Sequence, residues 1–354
     1  MREVHIAKQD IRDTRIAMVK QARVGEGAAR LKLDLFALTA NNVTYAAMGT
    51  GMLGYWDFFP ASEGFGKVPV WGFATVIESE APGVEVGARY YGYYPLAETL
   101  DVTPAKAGPR GFSDAAPHRA EKAPIYNQYL NTAADPAYDS AFEPEQTLFR
   151  PLYGTGWWAA DCIRQTATPV VVLSSASSKT ALATAHQLRA GGSVELIALT
   201  SPGNEAYVRD TGLYDRVVLY ANAASLAANG DATYVDFLGR TDLTATVHAT
   251  LGDKLKRSII IGVTDWADRA AQPPAGGLVG PKPEFFFVPT YATGRLQAEP
   301  QLGAAMLADL RAFYAASRQY VTPQHATGPD AILAAWARLT EGKVAPNEGI
   351  VASF

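Results

Sequence analysis

Residues 170–201 read VVVLSSASSKTALATAHQLRAGGSVELIALTS. A β-branched run (VVVLS) ends in a turn of small residues. An amphipathic stretch follows, with Leu182, Ala185 and Leu188 spaced to face a sheet. Gly191-Gly192 closes that helix, and VELIALTS forms a second apolar run. This strand–turn–helix–strand order is the plan of a dinucleotide-binding unit. The glycines that usually mark its turn are absent: Ser174, Ser177 and Thr180 occupy the spacing of G-x-x-G-x-x-G. Two readings follow, a working nucleotide loop built from small hydroxyl residues and a relic turn that packs without a ligand.

Downstream, SPGNEAYVRDTG reads as a short helix entered at Ser201-Pro202. RVVLY, TYVDFLG and RSIIIGVTD read as further buried strands, with LTATVHATLGDKL as helical material between them. Continuous apolar runs separated by helices predict a parallel sheet covered on both faces. PEFFFVPTYA reads as another strand, QLGAAMLADLRAFYAASRQY as a helix, and the chain ends in a helix and a strand. Upstream the chain is β-rich. Leu31, Leu33 and Leu35 alternate as in a half-buried strand, and Pro82-Gly83 marks a turn between two strand-like runs. Thr103 to Asp139 reads as a proline-rich loop, and PLYGTGWWAADCIRQ as a helix leading into the nucleotide unit.

At 354 residues the chain predicts two domains. With 48% hydrophobic and 19% charged residues it has the composition of a globular protein. The net charge of −4 argues against a general nucleic-acid or membrane-surface binder. No apolar run reaches the roughly 18 residues of a membrane span. The first residues, MREVHIAKQDIRDTRIAMV, carry charge throughout and no apolar signal core, so a cytoplasmic location is expected. One cysteine, Cys162, and five scattered histidines lack metal-ligand spacing, and no metal site is expected. SSASSKT overlaps the G-x-x-x-x-G-K-[ST] phosphate loop, but Leu173 and Ser178 fill both glycine positions and the match reads as coincidence.

The segments fall in the order of a known superfamily. ALTANNVTYAAMG, VPVWGFATVIES, RPLYGTGWWAADCI, TGLYDRVVLY and AILAAWARLTEGKVAPNEGIVASF resemble successive parts of the medium-chain dehydrogenases/reductases, in particular their zinc-free quinone- and enoyl-reductase branch. LTSPGN, YDRVV, WDFFP (56–60) and GVTDW (262–266) resemble an uncharacterised bacterial and fungal branch, a domain family of unknown function. The resemblance implies an α/β chain: a GroES-like β-barrel domain over 1–145 with 320–354, and an inserted Rossmann domain over 146–319 with a parallel sheet. It implies a zinc-independent, NADP-dependent oxidoreductase transferring hydride to a carbonyl or activated C=C of a small substrate. The altered turn keeps an alternative open, a non-redox binding protein or pseudoenzyme on the same scaffold.

Site residues follow from position. Ser174, Ser175, Ser177, Ser178, Lys179 and Thr180 surround the expected pyrophosphate at a helix N-terminus, where free N–H groups and the dipole favour an anion. The second strand ends in Thr200-Ser201 with no acid to grip a ribose 2′-hydroxyl. NADP is therefore favoured over NAD, with Thr200, Ser201, Asn204 and possible help from Arg209 for its 2′-phosphate. Ser201 equally reads as a helix cap. Gly262 and Thr264 are further cofactor candidates. Asn42, Thr44 and Tyr45 are the catalytic candidates by resemblance, Tyr45 as a donor to a carbonyl oxygen or, equally, a core tyrosine. Tyr55, Trp56, Tyr126 and Trp266 are candidates for a substrate-pocket wall, and the aromatic run around Trp56 reads equally as a satellite core. PEFFFVPTY resembles the strand through which relatives pair, so a homodimer through 284–291 is expected.

Overall fold

The computed structural model describes residues 1–50, 54–192, 194–261 and 277–354. The chain divides into two compact units, Met1–Leu148 with Val321–Phe354, and Phe149–Tyr320.

The first unit opens with strands β1 (Arg2–Ala7), β2 (Thr14–Met18) and β3 (Ala29–Leu38), then helix α1 (Ala40–Ala47). Strands β4 (Phe65–Gly66), β5 (Pro69–Ser79), β6 (Arg89–Pro95), β7 (Thr99–Val102), β8 (Pro104–Gly108), β9 (Gly111–Asp114) and β10 (Gln128–Asn131) follow. The segment 103–139, expected as loop, thus carries three short strands set between its prolines. β8 sits at a sheet edge and begins on Pro104, a place where a strand tolerates a residue without N–H.

The expected alternation along β3 holds for Leu31 and Leu33, which are buried, and breaks at Leu35, which is half-buried. The pairing of β3 with β5 shifts register between Leu33 and Leu35, and Phe36 and Leu38 take over the core face. Gly72 on β5 makes room for this: a Cβ there would run into the Leu35 carbonyl oxygen and lie 2.8 Å from Phe36 Cβ.

Helix α2 (Glu143–Arg164) leads into the second unit. There β11 (Val170–Leu173), α3 (Lys179–Ala190), β12 (Glu195–Thr200), α4 (Glu205–Asp210), β13 (Arg216–Leu219), β14 (Ala232–Asp236), α5 (Thr241–Leu251), β15 (Leu255–Ile260) and β16 (Glu284–Phe285) precede α6 (Val288–Ala298) and α7 (Gln301–Ser317). The six strands lie in the order β13-β12-β11-β14-β15-β16, every pair parallel. All four residues of β11 are fully buried, each side chain contributing about 1.5–3 kcal/mol of burial. The run PEFFFVPTYA departs from expectation. Only Glu284 and Phe285 form a strand, and Pro289 in the first turn of α6 starts a helix where a strand was read. The expected pairing strand over 284–291 is therefore two residues long.

The chain returns to the first unit as β17 (Thr322–Thr327), α8 (Pro329–Thr340) and β18 (Glu348–Ser353). That unit holds a small sheet β2-β1-β4 and a larger one, β17-β18-β3-β5-β6-β10-β9-β8, with β7 also paired to β3. Trp336 on α8 is fully buried, and its indole N–H donates to the Ile11 carbonyl at 2.8 Å, which fastens the returning segment to the start of the chain.

Candidate functional site

In the second unit β11 is the switch point: successive strands run outward to β12 and β13 on one side and to β14, β15 and β16 on the other. Ligands of such sheets bind beyond the carboxyl ends of the strands at that point. The turn 174–178 sits there. Ser174 is fully buried. Its hydroxyl donates to Asp236 Oδ1 at 2.6 Å and accepts the N–H groups of Phe237 (2.9 Å) and Leu238 (3.1 Å). Asp236 in turn accepts Leu238 N, Gly239 N and the Thr244 hydroxyl. The serine at the first glycine position is thus a tie between the ends of β11 and β14. Asp236 carried no sequence argument; the signal available was an acid closing a strand just before a glycine-containing turn.

Ser175 has φ 47°, in the left-handed region that costs a non-glycine residue about 1–2 kcal/mol. It occupies the tight bend. The Ala176 carbonyl accepts the Tyr214 hydroxyl at 2.9 Å. Ser177 and Asn204, both expected at the cofactor, come together: Asn204 Nδ2 donates to Ser177 Oγ at 2.9 Å. Ser178 caps α3, its hydroxyl accepting Ala181 N at 3.3 Å, with Lys179 and Thr180 half-buried in the first turn. The close helix approach uses a glycine elsewhere: a Cβ on Gly156 of α2 would meet Ala183 Cβ at 2.8 Å and Thr184 N at 2.9 Å.

At the end of β12, Thr200 is fully buried and its hydroxyl has no hydrogen-bond partner among the described residues. Ser201 takes the cap position of the next turn without a side-chain capping bond. Arg209 pairs with Glu205 at 2.7 Å on an exposed helix face. Gly262, Thr264 and Trp266 lie outside the described residues.

The first unit gathers aromatic rings around Tyr45. Thr39 and Asn42 form a reciprocal capping box that starts α1. Asn42 Oδ1 accepts Thr39 N at 2.7 Å and Nδ2 donates to the Pro69 carbonyl at 2.9 Å. These bonds hold α1 on β5. Thr44 is half-buried, its hydroxyl bonded back to the Ala40 carbonyl. Tyr45 is buried and its hydroxyl accepts Asn41 Nδ2 at 2.8 Å. Its ring lies 4.3 Å from Tyr55 and 6.0 Å from Tyr93. Trp71 and Tyr126 pack on Tyr93 at 4.8 and 4.9 Å.

Burial, with Tyr126 alongside, raises the Tyr45 phenol well above its ordinary value of 10.0, so it stays a protonated donor at neutral pH. Tyr55, Trp71 and Tyr126 are half-buried and form the accessible side of the cluster. Trp56 takes the satellite-core alternative: it is 4% exposed, and a Cβ on Gly49 or Gly66 would run into its ring. Tyr129 is likewise core.

Among the described residues no three His, Cys, Asp or Glu side chains gather as metal ligands, and no helix is long and apolar enough to cross a membrane. His186 and His248 are helix residues bonded to the Tyr320 hydroxyl and to Ser258 with the Val279 carbonyl, respectively.

The doubly wound parallel sheet and the return of the chain to the first unit match the fold expected from the sequence. The family model described as "Protein of unknown function (DUF2855)" matches residues 36–345, and the chain belongs to that family. No curated protein matches the sequence. CurA of Vibrio vulnificus, solved in complex with NADPH, is 13% identical with a TM-score of 0.63 over 100% of this chain and 99% of that one. The yhdH oxidoreductase of Salmonella enterica, solved in complex with NADP, is 15% identical with a TM-score of 0.57 over the whole of both chains. The CurF ER cyclopropanase of the curacin A biosynthetic pathway is 15% identical with a TM-score of 0.61, covering 99% of this chain and 98% of that one. At such identities the likeness is one of fold.

Proposed function

We propose that this protein is an NADP-dependent oxidoreductase acting, without zinc, on the carbonyl or activated C=C of a small substrate. The observation that carries the reading is the end of β12. It bears no acid, and the Thr200 hydroxyl is buried there without a partner, as a group awaiting a ligand oxygen would be. The turn is compatible with a pyrophosphate because the Ser174 side chain is drawn into the Asp236 network. That leaves the hydroxyl protons of Ser177 and Ser178 and backbone N–H groups at the start of α3 to meet an anion, with Lys179 beside them in the first turn. Thr200, Ser201 and Asn204 would hold a 2′-phosphate. When bound, NADPH supplies the hydride. Tyr45, a neutral phenol held by Asn41, is the proposed donor to the substrate oxygen, and the accessible faces of Tyr55 and Tyr126 suit a flat, partly apolar substrate. The solved relatives with NADPH or NADP bound support the cofactor choice.

The left-handed Ser175 and the Cβ atoms at all three glycine positions favour a second reading, a non-redox binding protein. Titration with NADPH, followed by nicotinamide fluorescence with NADH in parallel, separates the two. Saturable binding that prefers NADPH is expected, and no binding at millimolar NADPH overturns the oxidoreductase.

We further propose a cytoplasmic homodimer. Phe285 (71% exposed) on β16, the last strand of the described sheet, and Phe287 (48% exposed) just after it would be covered by a second copy. Sedimentation of Phe285→Glu against the native chain tests the dimer.

A further inference from the structure

A second constellation lies in the first unit, apart from the groups used above. Glu3 and His5 stand two residues apart on β1 and so share a face of that strand. Both are buried, at 3% and 4% exposure. Glu3 Oε2 meets His5 Nε2 at 2.7 Å, and Lys67 Nζ holds Glu3 Oε1 at 2.8 Å. The other ring nitrogen, Nδ1, faces the Ser62 hydroxyl at 3.3 Å. Ser62 is exposed at the start of a tight turn, closed by Phe65 N donating to the Ser62 carbonyl and bent at Gly64 with φ 77°. Arg15, the cross-strand partner of His5, donates from Nη2 to Ser62 Oγ at 2.9 Å while its guanidinium lies 3.7 Å over the Phe65 ring.

We propose that Ser62, His5 and Glu3 form a nucleophile–base–carboxylate triad that is acylated by small activated esters. Glu3, held by Lys67 through its other oxygen, accepts Nε2–H and so fixes the tautomer that leaves the Nδ1 lone pair on Ser62. A buried ion pair alone accounts for Glu3 and Lys67. It does not account for a histidine bridging that pair to an exposed serine whose oxygen also faces an arginine. Ser62 Oγ attacks the ester carbonyl carbon as its proton passes to His5 Nδ1, and Arg15 stabilises the tetrahedral oxyanion. Collapse breaks the acyl–oxygen bond, and the departing alcohol takes the proton from His5. Water, deprotonated by His5, then releases the acid and restores Ser62, so ester and water become acid and alcohol.

The test uses the full chain with p-nitrophenyl acetate and with a fluorophosphonate, the modified peptide being located by mass spectrometry. Fluorophosphonate is expected on Ser62. Ser62→Ala should abolish the label and lower ester hydrolysis about 100-fold, and His5→Gln should slow labelling by about the same factor. Glu3→Asp should keep more of the acylation rate than Glu3→Gln at unchanged KM, which a merely structural carboxylate would not produce. Thermal melting of each variant reports its fold. The absence of label on Ser62, or a labelling rate unchanged in a folded His5→Gln protein, overturns the proposal.

Discussion

The Ser174 hydroxyl donates to Asp236 Oδ1 at 2.6 Å while accepting two backbone N–H groups from the turn after β14. The residue at the first glycine position therefore joins two central strands at their carboxyl ends. Restoring glycine there should not improve the protein. Ser174→Gly removes the acceptor of Phe237 N and a charge-assisted donor to a buried carboxylate, and is expected to cost about 1–3 kcal/mol. Asp236→Ala takes the acceptor from the Ser174 O–H, Gly239 N and the Thr244 hydroxyl together and should cost more. Urea unfolding of both variants measures the order, and a Ser174→Gly protein as stable as the native one would contradict the tie.

Two glycines in α2, two positions apart, should respond in opposite directions. A Cβ on Gly156 runs into Ala183 and the backbone of Thr184, whereas one on Gly154 meets nothing within 4 Å. Gly156→Ala must push α2 and α3 apart, at about 1–3 kcal/mol. Gly154→Ala gains helix propensity, up to about 1 kcal/mol. Guanidinium unfolding midpoints of the two variants should fall on either side of the native value.

The central strands were legible because burial on both faces demands unbroken apolar runs. VVVLS, VELIALTS, RVVLY, TYVDFLG and RSIII leave few alternatives to a parallel sheet, and all became strands. The same signal misled at PEFFFVPTYA, where aromatic enrichment suggested a strand but Pro289 can open a helix and does. Prolines hid β8, β9 and β10, which are short and outside the sheet centre. Around the turn, the small hydroxyl residues marked the place but not their tasks. The partner of Ser174 lies 62 residues away, and only the parallel ladder brings it near. The anchoring bond from Asn42 to the Pro69 carbonyl is likewise long-range and leaves no mark in the local sequence.

Burial of His186 on α3 lowers its pKa from the ordinary 6.5, with the Asp309 charge opposing in part. The unfolded chain then binds the proton more readily than the folded one. The contribution of this histidine to stability is therefore present above about pH 6.5 and lost as the pH falls below it. Unfolding free energies at pH 7.5 and 5.5 should differ more for the native chain than for His186→Leu, which cannot titrate. An equal difference in both would show that the ring is protonated as easily in the fold as outside it.

Thr200→Val separates a structural from a ligand-holding role for one hydroxyl. The side chains have nearly the same shape, so packing at the end of β12 is preserved. A buried hydroxyl without a partner opposes folding, since it gives up its water and gains nothing in return. Removing it should leave the ligand-free protein as stable as before or raise its stability by about 1 kcal/mol. If the hydroxyl meets a phosphate or ribose oxygen, the same change removes a hydrogen bond from the bound state and should weaken NADPH about tenfold, at 1.4 kcal/mol per decade. Thermal unfolding without nucleotide and NADPH titration give the two readouts. Stability and affinity moving in opposite directions places Thr200 at the nucleotide. A loss of stability with unchanged affinity would show that the hydroxyl serves the fold instead.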